Sequence, residues 1–428
     1  MIKLKWACLL GAMTLALSAC NKNETTEAAS SRAASSSLGS PLESFSKSPL
    51  ESMPAGSAGT APALAPGMPV PPPPAINGRG YIMIDAASGK VLAESNADER
   101  MEPASLTKLM TAYIAFDALR IGRIKLTDQA LVSEYAWRTG GAGTDGSTSF
   151  IPLNSRVPVE TLLLGMIVQS GNDASIALAE HIAGNEDTFA QLMRQYAQRL
   201  GMTGSSFGNA TGLPSPLDYT TPRDMALLAQ ALIRDFPQYY QYFSVKEYTY
   251  NNTTQYNRNG LLIRDPSVDG LKTGHTSGAG YCLVSSARRN DMRLITVVMN
   301  TPSIKAREDG TSALLNYGFS FYETRRLYAA SQELQSARVR KGQTDTVAVG
   351  PDTDIQLTLQ RGSADKIQTS IELPDSLVAP LKRDSAVGTL KLLQDGKEVG
   401  SYPLYPLADV AEAGLFGRMV DSVKLWFE

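Results

Sequence analysis

Along the chain the spacing of apolar positions switches between two periods. GYIMIDAASGKVLAES holds two short apolar runs around turn residues, which predicts strands over Tyr81–Asp85 and Lys90–Glu94 joined by a turn at Ala87-Ser88-Gly89. The spacing then lengthens to that of helices over Leu106–Leu119, Val159–Val168, Ala174–Ala183, Glu186–Leu200 and Arg223–Arg234. Strand texture returns over Ser267–His275, Gly280–Arg288 and Arg293–Asn300, and a closing helix follows near Lys305–Glu323. Helices inserted between strand-forming ends predict an α+β layered domain over residues 77–327.

Beyond Leu327 the texture is strand-like throughout. DIQLTLQ alternates, and TLKLLQDGKEVGSYPL does so around Asp395-Gly396, a strong hairpin signal, so residues 328–407 predict a small β-rich domain. The last segment, within residues 408–428, puts Leu415, Phe416, Met419, Val420, Val423, Trp426 and Phe427 on one helical stripe. Arg418, Asp421, Lys424 and Glu428 fall on the other face. This predicts a C-terminal amphipathic helix, fit for a membrane interface or for packing on its own domain.

The front end has a different character. Lys3 and Lys5 precede an apolar run from Trp6 to Leu17, too short to span a bilayer comfortably and laid out as a secretory signal. It ends in LSAC, which resembles a bacterial lipobox, so residues 1–20 read as a lipoprotein signal with Cys20 as the lipidation site. Residues 21–76 are rich in Ser, Ala, Pro and Gly, repeat SPLES, and end in PVPPPP. With few large apolar residues they predict a disordered tether whose last part is stiff.

The composition narrows the function. With 43% hydrophobic and 19% charged residues in 428, the chain is able to bury a sizeable core, and a net charge of −2 gives no basic surface for nucleic acid. Two histidines and three cysteines are too few for a His/Cys metal cluster. With Cys20 lipidated and the signal removed, Cys282 is the remaining thiol, so no internal disulfide staples the fold.

The first long helix carries an anomaly. Leu106, Leu109, Met110, Tyr113, Ile114 and Leu119 want a core, yet Ser105 and Lys108 stand one turn apart at its start, on one face. S-x-x-K also occurs at Ser44–Lys47 and Ser363–Lys366, so this motif alone decides nothing. Two more follow in order: Ser170-Gly171-Asn172 is the only S-x-N in the chain, and Lys272-Thr273-Gly274 the only K-[ST]-G. S-x-x-K, S-D-N and K-T-G together form the signature of penicillin-binding proteins and class A β-lactamases, with Gly171 here in place of the middle Asp.

On these motifs, and on EPASLTKLMTAY, RDMALLAQALIRD, NRNGLL and VDGLKTGHT, the sequence resembles the low-molecular-mass penicillin-binding proteins that are serine-type D-alanyl-D-alanine carboxypeptidases. The resemblance runs from about Gly80 to the C-terminal end. It implies a penicillin-binding/β-lactamase-like, transpeptidase-like catalytic domain, a β-rich second domain, and a periplasmic enzyme acting on the peptidoglycan stem peptide. It also implies covalent inhibition by β-lactams, and neither a cofactor nor a metal.

Chemistry assigns the roles. Ser105 is the nucleophile and needs a base in contact. Lys108 serves if burial and a nearby positive charge, expected from Lys272, keep its amine neutral. Pro103 leaves Ser105 in the first turn, where a free N–H faces a developing oxyanion; by resemblance a second comes from His275. Ser170 relays a proton, Asn172 holds the acyl-side amide, and Thr273, beside Gly274, binds the terminal carboxylate. The resemblance adds Arg307 there and places Arg258 near the site.

Three alternatives stay open. A β-lactamase needs a deacylating glutamate, and no E-x-x-L-N pattern lies between the second and third motifs; NATGLPSPLDYTTPRD offers only Asp218 and Asp224. A DD-endopeptidase would cut the same type of bond. A catalytically inactive envelope lipoprotein would not need the motif residues, all of which are intact. Asn21 is not the aspartate that retains lipoproteins at the inner membrane, which leaves open the membrane that holds the anchor.

Overall fold

A computed structural model describes residues 69–414. The signal segment with Cys20, the tether up to residue 68 and the stripe from Leu415 onward lie outside the described residues.

The catalytic region is built on a five-stranded sheet in the order Val91–Ser95, Gly80–Asp85, Met292–Thr301, Gly280–Arg289, Val268–Thr276. Neighbouring strands run antiparallel, with Ile82 opposite Val297 and Lys272 opposite Val284. The first strand therefore pairs with the last, and the helices predicted between them form a single insertion. Leu294 and Val298 face one side of their strand and Ile295 and Val297 the other, all without exposure, so both sheet faces are covered. The helix Ile304–Phe321 covers one face through Leu314, Leu315 and Phe319. The helix Pro222–Asp235, opened by Thr221 as N-cap and Pro222 at the first position, belongs to the other layer.

Several elements depart from the sequence pattern, and the departures gather at the candidate site. The first long helix begins as a 3₁₀ turn, Ala104–Thr107, before the α-helix Lys108–Arg120. The helix from Val159 is regular only to Leu164; Gly165–Gln169 widen into a π turn that ends at Ser170 in the left-handed region, φ 68°. The next helix starts at Asn172, two residues before the apolar period does, and runs to Ala183. Asn172–Ala179 are buried all round, which places this helix inside the helical layer.

The second region begins earlier and ends later than the alternation suggests. Tyr322–Tyr328 follows directly from the last long helix and pairs with Ile355–Gln360, so residues 322–327 belong with the β unit. At the far end Val410 bridges Leu381 and Glu412 bridges Gly342, so the chain is not helical over residues 408–412. Between lies a six-stranded sheet, with the hairpin at Asp395-Gly396 carrying positive φ at both residues as its turn chemistry requires. Asp85 joins the two regions: its carboxylate accepts from Ser88 Oγ and Thr324 Oγ1, each at 2.7 Å, and Lys90 Nζ donates to Thr358 O at 3.0 Å.

The end of the expected tether is also docked. Val70 and Ile76 pack against the apolar cluster under the helix Ile304–Phe321, and Tyr317 OH donates to Pro71 O at 2.9 Å. Proline-rich backbone with free carbonyls loses little entropy on docking, so a few apolar contacts suffice. Cys282, on the strand Gly280–Arg289, has no exposure, and burial pushes its thiol up to about 11. Among the described residues no helix is long and apolar enough to cross a membrane.

Candidate active site

The segment that carries Ser105 is bent before it turns helical. Ala104 holds φ 47°, unusual for a residue with a side chain, and Ser105 follows in the 3₁₀ turn. The bend is pressed by Gly212, where a Cβ would lie 1.8 Å from Ala104 O. One turn on, Lys108 is 1% exposed, and its Nζ lies 3.1 Å from Ser105 Oγ, 2.7 Å from Asn172 Oδ1 and 2.7 Å from Thr211 O. Burial pushes the amine down to about 7, helped by the positive charge of Arg258 and opposed by Asp173 and Glu186. The expected repulsion between Lys272 and Lys108 is joined by a charge the sequence did not point to, that of Arg258. Lys272 is itself buried and held well below the usual lysine range, first by burial and then by Lys108, Arg258 and Arg307.

The second motif sits on the π turn. The wide turn and the left-handed Ser170 bring the Ser170 hydroxyl into the cleft lining, buried and without a partner among the described residues. Gly171 explains the departure from the signature: a Cβ there would lie 1.9 Å from Ser149 Oγ and 2.8 Å from Asp173 Oδ1. Asn172 opens its helix with the side-chain oxygen on Lys108.

The third motif lies on the edge strand Val268–Thr276, whose free side borders the cleft. Lys272 Nζ donates to Thr273 O at 3.1 Å. At Gly274 a Cβ would come within 3.1 Å of Pro103 O and 3.3 Å of Leu106 N, so the strand passes tightly against the serine turn. The His275 ring stacks on Tyr281 at 4.1 Å between centroids. Arg307, on the helix Ile304–Phe321, is 4% exposed, and burial pushes it down to about 10. Its Nε has no partner among the described residues, and its nearest carboxylate, Glu308, is 3.6 Å away. A buried guanidinium with an unused donor is suited to an incoming anion.

These parts converge on one cleft of about 430 Å³ lined by Ser105, Ser170, Asn172, Arg258, Thr273, Gly274, His275 and Arg307. Lys108 and Lys272 lie behind this lining. The decoy Ser363 instead donates to Gln360 O in the β unit. Asp218 and Asp224 are not in the lining: Asp218 accepts from Asn209 Nδ2 at 2.9 Å, and Asp224 from Gly204 N at 2.9 Å and Ser205 Oγ at 2.7 Å. Sequence reasoning missed Thr211, whose carbonyl has no side-chain signature, and Asp173, whose one signal is an acid in the first turn of a helix. It also missed the wall Asp145–Ser147.

An α+β unit with a serine–lysine pair, a serine on a tight turn and a lysine-bearing edge strand defines the penicillin-binding fold. The D-alanyl-D-alanine carboxypeptidase family model of serine peptidases matches residues 68–303, and the penicillin-binding protein 5 C-terminal domain matches residues 322–412. The chain is similar to the D-alanyl-D-alanine carboxypeptidase DacA of Escherichia coli K12, 43% identical over 361 residues that cover 84% of this chain and 90% of the relative. DacC of the same strain is 43% identical over 83% of this chain and 89% of its own. Among solved structures, penicillin-binding protein 5 of Haemophilus influenzae superposes with a TM-score of 0.74 at 41% identity, covering 79% of this chain and 99% of that one. Penicillin-binding protein D2 of Listeria monocytogenes, solved in an ampicillin-bound form, gives 0.51 at 28% identity, covering 58% of this chain and 100% of that one. The chain belongs to the D-alanyl-D-alanine carboxypeptidase family and is a serine-type carboxypeptidase.

Proposed function

We propose that the protein removes the terminal D-alanine from peptidoglycan stem pentapeptides through an acyl-enzyme on Ser105. The observation that carries this reading is the buried Lys108 amine, down to about 7 and 3.1 Å from Ser105 Oγ. A neutral amine has two N–H groups and one lone pair. The two short contacts, to Asn172 Oδ1 and Thr211 O, use both N–H groups, and the lone pair is left for the Ser105 proton. Ser105 Oγ attacks the carbonyl of the penultimate D-alanine as Lys108 takes its proton. The oxyanion forms against the N–H groups of Ser105 and His275. Ser170 passes the proton to the departing amine, the C–N bond breaks, and free D-alanine leaves an ester on Ser105. Water, deprotonated by the same Lys108, hydrolyses that ester and restores the serine.

Binding follows from charge and register. The substrate carboxylate meets Thr273 and Arg307, with Arg258 nearby, while Asn172 holds the acyl-side amide. Lys272 stands behind the strand with its amine buried. β-Lactams acylate Ser105 by the same attack, but their leaving amine stays tethered and hinders the hydrolytic water, so they act as covalent inhibitors. Mass spectrometry of a stem pentapeptide incubated with the protein tests this reading, alongside fluorescent-penicillin labelling. Ser105→Ala abolishes D-alanine release and labelling without loss of fold. Labelling that survives in that variant, or wild-type penicillin hydrolysis as fast as peptide turnover, sinks it.

The enzyme works on the periplasmic side of a bacterial envelope, anchored by a lipid on Cys20 and steadied by the terminal amphipathic helix. The lipobox-like LSAC and the apolar stripe from Leu415 to Phe427 support this. Cys20→Ala releases the protein from stable membrane attachment in fractionation, since a lone amphipathic element binds only reversibly. An unchanged membrane fraction contradicts the lipid anchor.

A further inference from the structure

Asp173 is fully buried, and its carboxylate accepts four hydrogen bonds. Three come from one loop: Ser149 N at 2.8 Å, Ile151 N at 3.1 Å and Thr148 Oγ1 at 3.0 Å; the fourth is Ala174 N at 2.9 Å, in its own helix. Donors on every side leave its proton no place, so the group is held as the anion although burial raises its pKa. The loop continues into Asp145, Gly146 and Ser147, which form one wall of the cleft. The backbone adds Asn172 N donating to Ser147 O at 2.8 Å. Contact is close on both sides of this joint: a Cβ at Gly146 would lie 2.5 Å from Asn172 Nδ2, and one at Gly140 2.3 Å from Asp173 N. Without the carboxylate, two loop amides and a hydroxyl would be buried unpaired beside the residues that hold Lys108.

We propose that Asp173 is a positioning residue that locks the 145–151 wall to the start of the Asn172–Ala183 helix and so fixes Ser170 and Asn172 against Lys108. It touches neither substrate nor nucleophile. Its second effect is electrostatic. Lys108 is faced by Arg258 from the cleft wall, Lys272 from the edge strand, Glu186 from the helix Glu186–Arg199, and Asp173. Removing the Asp173 charge takes away a stabiliser of the ammonium form, so Lys108 loses its proton at lower pH. A residue that merely filled space would lower the rate without moving that midpoint.

The proposal rests on Lys108 as the base, and the wild-type profile tests that separately: an acylation rate with no acid limb defeats the base reading alone. The test is the rate of penicillin acylation against pH for wild type, Asp173→Asn and Thr148→Val, with hydrogen exchange at the Ser149 and Ile151 amides. Asp173→Asn is expected to lower the plateau about 10- to 100-fold, the rate equivalent of leaving buried donors unpaired. Its acid limb moves to lower pH, and both amides exchange faster. Thr148→Val, which keeps the charge, is expected to lower the plateau several-fold with the midpoint unmoved. A wild-type plateau, an unmoved midpoint, or unchanged exchange in Asp173→Asn overturns the proposal. Should Asp173→Asn fail to fold, unchanged rate and exchange in Thr148→Val overturns it.

Discussion

The two halves of the described chain bury different things. In the catalytic half Lys108, Asp173, Lys272, Arg307 and Glu308 are all below a tenth exposed, gathered around the cleft. In residues 322–412 the buried polar side chains are Thr324, Thr358 and Ser363, and the core is Ala337, Val339, Val349, Leu357, Leu390, Leu392, Leu404 and their neighbours. Burying charge costs stability unless each group is paired, and a cluster of buried charges marks a candidate functional site, while single ones such as Asp85 and Asp224 serve as structural acceptors. By that measure the β unit is a platform and the chemistry lies wholly on one side of the Asp85 junction.

The contrast is broken most severely at Lys108. Lys108→Arg keeps the charge but cannot present a neutral amine, and acylation should fall on the order of a thousandfold. In the wild type the sign is set by the same depression: below about 7 the amine carries a proton and accepts none from Ser105, so the rate falls as pH drops through that value. Stopped-flow acylation against pH measures both; a flat profile, or a near-normal arginine variant, means another base operates. A smaller effect is expected one residue from Ser170. Gly171→Ala forces a methyl group into Ser149 Oγ, which should destabilise the protein by about 1–3 kcal/mol and slow acylation about tenfold or more. Unchanged thermal unfolding and rate would mean that the turn yields freely. The smallest effect on chemistry belongs to the platform. Leu390→Ala, at a position without exposure, should cost about 2–5 kcal/mol in denaturant unfolding yet leave acylation at low temperature within about twofold. A loss of rate in step with stability would show that the β unit shapes the cleft.

The legibility of the molecule followed the same division. The β unit was readable because alternation has a period of two and few rivals, the central strands because short apolar runs are bounded by turn residues, and the Asp395-Gly396 hairpin declared itself through two residues that tolerate positive φ. The motif residues Ser105, Lys108, Ser170, Asn172, Lys272 and Thr273 were readable because reactive side chains stood where a core pattern did not want them. What failed to show was everything carried by backbone or by long-range charge. The π turn before Ser170 has the composition of an ordinary helix. Thr211 acts through a carbonyl that any residue has. The contribution of Arg258 to depressing Lys108 depends on where the loop after Tyr256 folds. Asp173 looked like a routine acid at a helix start, and the loop it holds lies 22 to 25 residues earlier in the chain. Pro69–Ile76 had the composition of a linker, and its docking rests on a groove created by residues far downstream.

Cys282 has a consequence for handling the enzyme. Its sulfur sits inside the central sheet, accepts from Asn300 N at 3.4 Å, and carries a pKa of about 11, so a thiol reagent in neutral buffer meets almost no thiolate and no path to it. In a fragment beginning at Pro69 it is the sole cysteine. Alkylation then proceeds only through molecules whose sheet has momentarily opened, and its rate becomes a clock for that opening. Because the adjoining strand carries Lys272 and Thr273, the clock is expected to slow when an acyl group occupies the cleft, reporting occupancy without a chromophore or a label on the ligand.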